Sequence, residues 1–169
     1  MSDKIRVANF INDSITDGPG LRFTLFVQGC THCCKGCHNP STWALDGGSL
    51  MSPEEIFNEF KDNILLSGVT FSGGEPFLQA KELLPLAKMI KDSGLELAIY
   101  SGFTYQEIID DPVKKELLSF ADTLIDGRFE LENRSLCLKF KGSTNQRIID
   151  VKSSLSKGEV VLETGERWS

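Results

Sequence analysis

Apolar residues in this chain follow two habits: short unbroken runs, and longer stretches where they recur every three or four positions. Runs at residues 22–28, 68–72, 95–100 and 123–126 have the length and β-branched or aromatic content of buried strands. Helical patterns separate them. Ser52-Pro53-Glu54-Glu55 has the form of a capping box with proline at the first helical position, and it predicts a helix burying Ile56, Phe57, Phe60 and Ile64 as one stripe. Leu83, Leu86, Ala87 and Ile90 mark a second amphipathic helix, which Gly94 ends. Residues 104–110 and 113–120 read as a helical stretch broken at Pro112, because proline disfavours helix in the residue before it.

Strand and helix therefore alternate, which predicts an α/β fold with a parallel sheet and right-handed crossovers. Residues 5–10 are expected to add an edge strand, and Val160-Val161-Leu162 ahead of Thr164-Gly165 predicts a small terminal hairpin at about residues 159–168. With 169 residues, 40% of them hydrophobic and 25% charged, residues 1–169 are expected to form one domain with a real core. No repeat or linker interrupts it, and Asp46-Gly47-Gly48-Ser49 reads as a local loop. The start has no secretory pattern and the apolar runs are too short to cross a bilayer, so a cytoplasmic location is expected. A net charge of -6 without a Lys/Arg cluster argues against nucleic acid or an anionic membrane as a partner.

The chemistry begins at Cys30-Thr31-His32-Cys33-Cys34-Lys35-Gly36-Cys37, directly after the first predicted strand. Cys30, Cys34 and Cys37 have a spacing suited to three corners of an iron-sulfur cube, and a cube held by three thiolates leaves one iron open to a substrate. The alternative is a structural zinc site built from these cysteines with His32 or His38, since zinc accepts mixed sulfur and imidazole ligands. Crowding of the cysteines fits a reducing compartment rather than a disulfide framework. Cys33 reads as a bystander between ligands and Cys137 as a small buried apolar residue.

In parallel sheets, ligands bind beyond the carboxyl ends of the strands. The predicted strands run into the cysteines, into Gly73-Gly74-Glu75-Pro76, into Ser101-Gly102 and into Asp126-Gly127-Arg128, so these loops should converge on one edge. Gly73 and Gly74 would let a ligand approach the backbone, with Glu75 as a nearby acceptor. Asp126 and Arg128 would orient the cofactor or an incoming loop, or else form a solvated turn with a surface ion pair. Asn145-Gln146-Arg147 would bind cofactor or partner, or lie solvated before Ile148-Ile149. Trp43 reads as a core residue or part of a docking surface.

Cys30-x3-Cys34-x2-Cys37 followed by Ser72-Gly73-Gly74-Glu75-Pro76 resembles the radical S-adenosylmethionine superfamily. Asp17-Gly18-Pro19-Gly20, residues 37–43 and residues 142–150 narrow the resemblance to the family that activates anaerobic ribonucleoside-triphosphate reductase. The likeness runs from about Phe10 to Asp150. It implies a short, open partial β/α barrel with parallel strands. It also implies a [4Fe-4S] cluster on Cys30, Cys34 and Cys37, and S-adenosylmethionine bound near Gly36, Cys37, His38, Gly73, Gly74, Glu75, Ser101 and Asp126. The implied reaction is reductive cleavage of S-adenosylmethionine to methionine and a 5'-deoxyadenosyl radical, which takes hydrogen from a glycine of the reductase. The implied partners are the large reductase subunit and a low-potential electron donor such as a flavodoxin. The chain departs from the superfamily in having Gly36 where an aromatic residue often precedes the last cysteine, and from the family in having His38 where Tyr or Phe is usual.

Three other functions compete with this one. The activator of pyruvate formate-lyase shares the cysteine spacing but usually has a longer chain. A radical S-adenosylmethionine enzyme acting on a small molecule would need no protein partner. A zinc-stabilised interaction module would be colourless, whereas an iron-sulfur protein is brown.

Overall fold

A computed structural model describes residues 4–168. Among them run the strands β1 (Ile5–Ser14), β2 (Arg22–Val27), β3 (Ser49–Met51), β4 (Gly68–Gly73), β5 (Glu96–Tyr100), β6 (Thr123–Asp126) and β7 (Arg147–Asp150). The helices are α1 (Pro53–Asn58), α2 (Ala80–Asp92), α3 (Tyr105–Ile109), α4 (Pro112–Leu118) and α5 (Val151–Lys157). The strands join in one seven-stranded sheet of order β3-β1-β2-β4-β5-β6-β7. Its centre, β2-β4-β5-β6, is parallel, while β1, β3 and β7 pair antiparallel. The sheet is open, with β3 and β7 at its two edges.

The predicted strands form this parallel centre, and the differences lie at its margins. β1 is longer than predicted and is not an edge, because β3 pairs outside it. β7 was hidden in the sequence because its two apolar residues follow a polar stretch. The terminal hairpin does not form. Instead Leu162 bridges to Ile149, and Asp150 N–H donates to Val161 O at 2.8 Å, so the segment pairs with β7 across α5. α1 also stops short of Ile64, which is 94% exposed. The helix ends at Asn58, and after the turns that follow, the Asn63 side-chain oxygen accepts from Leu65 N–H at 3.0 Å in a local turn around Ile64.

Elsewhere the local signals act as read. Ser52 Oγ caps α1 by accepting from Glu55 N–H. Gly94, at φ +87°, takes the left-handed conformation after α2. Pro112 opens α4, with Asp111 accepting from the N–H groups of Val113 and Lys114.

Alternation along the strands divides the sheet into two unlike faces. Phe23, Leu25, Val27, Val69, Phe71, Leu97, Ile99 and Leu124 point into the main core with Leu83, Leu86, Ile90, Ile108 and Leu117 of the helices. The alternate positions are smaller and more polar: Thr24 beside Thr70, Ala98 beside Thr123, and Phe26 beside Ser72. Of these, Phe26 and Ser72, together with Tyr100, line a cavity. The helix-covered face thus supplies the core, and the other face supplies the floor of a site.

Candidate functional site

The cavity holds about 390 Å³, within the range of small-molecule sites. It opens over the carboxyl ends of β2, β4, β5 and β6, and Cys30, Cys37, Gly73, Gly74, Ser101 and Gly127 reach it from four different loops. The convergence expected from the order of the strands is therefore present. Asp17, which entered the sequence argument only as part of a motif, also lines it, with Thr16 beside it. Their turn is fixed from below by Arg22, fully buried, which donates to Pro19 O at 3.0 Å and to Thr70 Oγ1 at 2.9 Å. Thr70 Oγ1 in turn donates to Asp17 O at 2.9 Å. A side chain on Gly18 would lie 2.8 Å from Arg22 Cδ, so the turn needs glycine there.

The cysteine loop begins where β2 ends. Gly29 N–H donates to Thr42 O and Cys30 N–H to Trp43 O, which anchors the loop start to the turn at residues 40–42. Trp43 is half-buried and faces the cavity rather than the main core. Cys33 adopts a left-handed φ of 53° and is exposed, so a strained turn stands between Cys30 and Cys34. Gly36, at φ +78°, makes a second turn; a Cβ there would meet Leu131 at 2.8 Å. Gly36 itself does not line the cavity, nor does Cys34.

Asn39 N–H donates to Cys37 Sγ at 3.4 Å. Burial pushes the Cys30 and Cys34 thiols above their ordinary range, and the nearby backbone of His32 and of Phe129 opposes that rise in part. Such N–H···S bonds are the means by which proteins stabilise thiolate ligands and tune cluster potential. The donor set therefore fits a cluster. A cube spreads its thiolates over separate irons, one sulfur to each.

Gly73 and Gly74 answer first to a local demand. A Cβ at Gly73 would lie 2.5 Å from Val27 N, and one at Gly74 would lie 2.4 Å from Gly29 O. The pair lets β4 turn tightly against the end of β2, with Gly74 N–H donating to Val27 O and Glu75 N–H to Gly29 O, each at 2.8 Å. Both glycines still face the cavity.

Two acidic residues read as cofactor-binding are not brought to the cavity. Glu75 is fully buried, and its carboxylate accepts from His32, Ser101, Gly102 and Phe77. Asp126, 1% exposed, accepts from Tyr105 N–H at 2.8 Å and from Arg147 Nε at 3.0 Å. Its lone pairs are occupied by β7 and α3, so it braces the sheet edge. Ser101 does line the cavity while donating to Glu75. His38 lines it too, its ring 5.0 Å from that of Phe129.

Asn145 donates to Arg128 O, and Gln146, which itself lines the cavity, bridges Gly127 O and the N–H groups of Gly142 and Ser143, which closes the loop after β6. Arg128 forms an exposed pair with Glu107 at 3.7 Å. Cys137 is exposed rather than buried, because residues 135–142 form a loop between the bridged Arg134 and Ser143 instead of a core strand. His32 is not solvent-facing; its side chain is 5% exposed. Of the two readings the sequence allows, a support behind the ligands or a solvent-facing ring, the structure shows a buried ring on Glu75, a partner 43 positions away that the sequence does not reveal.

The chain resembles known proteins over most of its length. Residues 16–149 match the family model of a 4Fe-4S single cluster domain. The anaerobic ribonucleoside-triphosphate reductase-activating protein of Haemophilus influenzae is 37% identical over 142 residues, 79% of this chain and 90% of that protein. The pyruvate formate-lyase-activating enzyme of Clostridium pasteurianum is 39% identical over 113 residues, 62% of this chain and 48% of that protein. The solved structure of QueE from Escherichia coli aligns with a TM-score of 0.48 at 17% identity, over 60% of this chain and 54% of that one. The chain belongs to the anaerobic ribonucleoside-triphosphate reductase-activating protein family and carries its 4Fe-4S domain.

Proposed function

We propose that this family member binds a [4Fe-4S] cluster through Cys30, Cys34 and Cys37, cleaves S-adenosylmethionine reductively, and places a glycyl radical on anaerobic ribonucleoside-triphosphate reductase. The observation that carries the reading is the meeting of the cysteine loop with Gly73-Gly74 at one cavity above the parallel strands. When bound, the reduced cluster and S-adenosylmethionine supply the one-electron chemistry.

The chain's own residues hold and orient. Cys30, Cys34 and Cys37 would hold the cluster, with Asn39 N–H stabilising the Cys37 sulfur. Gly73 and Gly74 would offer bare backbone to the methionine part of the cofactor, and His38 and Phe129, whose rings meet beside the cavity, would pack on its adenine part. Positioning of this kind turns a rare encounter into a poised one. Glu75 and Asp126 act from outside the cavity, as supports. The open sheet leaves the mouth accessible to a polypeptide loop of the reductase.

We further propose that residues 1–169 act as one catalytic domain in the cytoplasm, served by a low-potential donor such as a flavodoxin. Among the described residues no helix is long and apolar enough to cross a membrane. The test is anaerobic. Reduced protein, S-adenosylmethionine and the reductase subunit should give a glycyl-radical signal in electron paramagnetic resonance. Cys34→Ala should abolish the signal while leaving the circular dichroism spectrum of the fold. A full signal from that variant would remove Cys34 from the ligand set, and a signal only on pyruvate formate-lyase would reassign the partner.

A further inference from the structure

The proposed chemistry leaves one buried polar pair without a task. His32 Nε2 lies 2.7 Å from Glu75 Oε1, with side-chain exposures of 5% and 0%. A carboxylate this buried persists only where its lone pairs are filled. Ser101 Oγ, Gly102 N–H and Phe77 N–H, at 2.7 to 3.0 Å, fill most of them from the loops after β4 and β5. The remaining donor is His32, so its proton sits on Nε2.

His32 differs from these partners in belonging to the cysteine loop. Among the described residues, its bond to Glu75 is the one side-chain to side-chain hydrogen bond that ties residues 31–38 to the sheet. The ring is enclosed as well as bonded. It stands edge-on to Phe103 at 4.6 Å, and Gly102 leaves just enough room, since a Cβ there would lie 2.5 Å from the ring. The other end of the same residue pair reaches the loop start, where Glu75 N–H donates to Gly29 O. Glu75 therefore grips the cysteine loop before its first ligand and between its first and second.

We infer that His32 is a positioning residue: its Nε2–H bond to Glu75 sets where the cluster loop stands relative to the Gly73-Gly74 strip. A cofactor held by both would meet this spacing, so the bond would govern how well S-adenosylmethionine fits. This role rests on the cluster reading above, but it is separable from it by experiment.

The test compares His32→Phe, which keeps a ring and loses the donor, with His32→Gln, which keeps a donor at a similar reach. Iron and sulfide content is measured first. The dissociation constant for S-adenosylmethionine is then taken from its effect on the electron paramagnetic resonance spectrum of the reduced cluster. His32→Phe should load iron and bind the cofactor about tenfold more weakly, the scale of lost outer-shell support at metal sites. His32→Gln should stay within about threefold of the unaltered protein. Gly102→Ala, which displaces the ring without touching either partner chemically, should shift in the same direction as His32→Phe. If His32→Phe fails to hold iron, iron content becomes the readout, and restoration by His32→Gln supports the role. Equal impairment of the Phe and Gln variants, or none in His32→Phe, overturns it. An unaltered protein without iron, or with a spectrum indifferent to the cofactor, would instead refute the cluster reading.

Discussion

Glu75 and Asp126 stand at the same edge of the sheet, one just past β4 and the other at the end of β6, and both are almost completely buried. Their surroundings divide them. Asp126 meets a guanidinium, that of Arg147, whose far side remains open to water. Glu75 meets two backbone N–H groups, a hydroxyl and an imidazole, all enclosed. Asp126 joins β6 to β7 and to the start of α3, elements that would pack together without it. Glu75 joins the cysteine loop to the loops after β4 and β5. Equal burial thus conceals unequal work: one carboxylate trims the margin of the fold, and the other assembles the floor of the site.

Removing each carboxylate sharpens the contrast. Glu75→Leu leaves four buried donors unpaired, and at about 1–3 kcal/mol for each such group the loss should reach about 3 kcal/mol or more in denaturant unfolding. Its iron content should fall as well. Asp126→Asn keeps an acceptor for Tyr105 N–H and frees an arginine that can turn to solvent. Its cost should be about 1–2 kcal/mol, with iron loading retained. A larger loss at Asp126 than at Glu75 would break the comparison. Arg128→Ala removes an exposed pair and should change stability by less than about 0.5 kcal/mol.

The same contrast marks what the sequence could reveal. The parallel strands and the loops at their ends were legible because buried strands leave continuous apolar runs, and because ligand loops fall at one end of them. β3 and β7 were not, since three or four residues at an edge carry no period to detect. Ile64 misled because helical spacing continues along the sequence past the end of α1 at Asn58. In the site, the cysteines and glycines announced themselves by spacing. The carboxylates did not: an acidic residue at the end of a strand reads alike whether it faces a ligand or a half-exposed arginine 21 positions on. Only the tertiary partner decides, and His32 waited on Glu75 for the same reason.

The central claim is that three cysteines leave one iron of a cube open to S-adenosylmethionine. Its most direct test is the electron paramagnetic resonance spectrum of anaerobically reconstituted, reduced protein, recorded before and after the cofactor is added. The expected result is a reduced [4Fe-4S] spectrum that changes shape on addition. A colourless zinc-loaded protein, or an iron-loaded one whose spectrum the cofactor leaves unmoved, would contradict it.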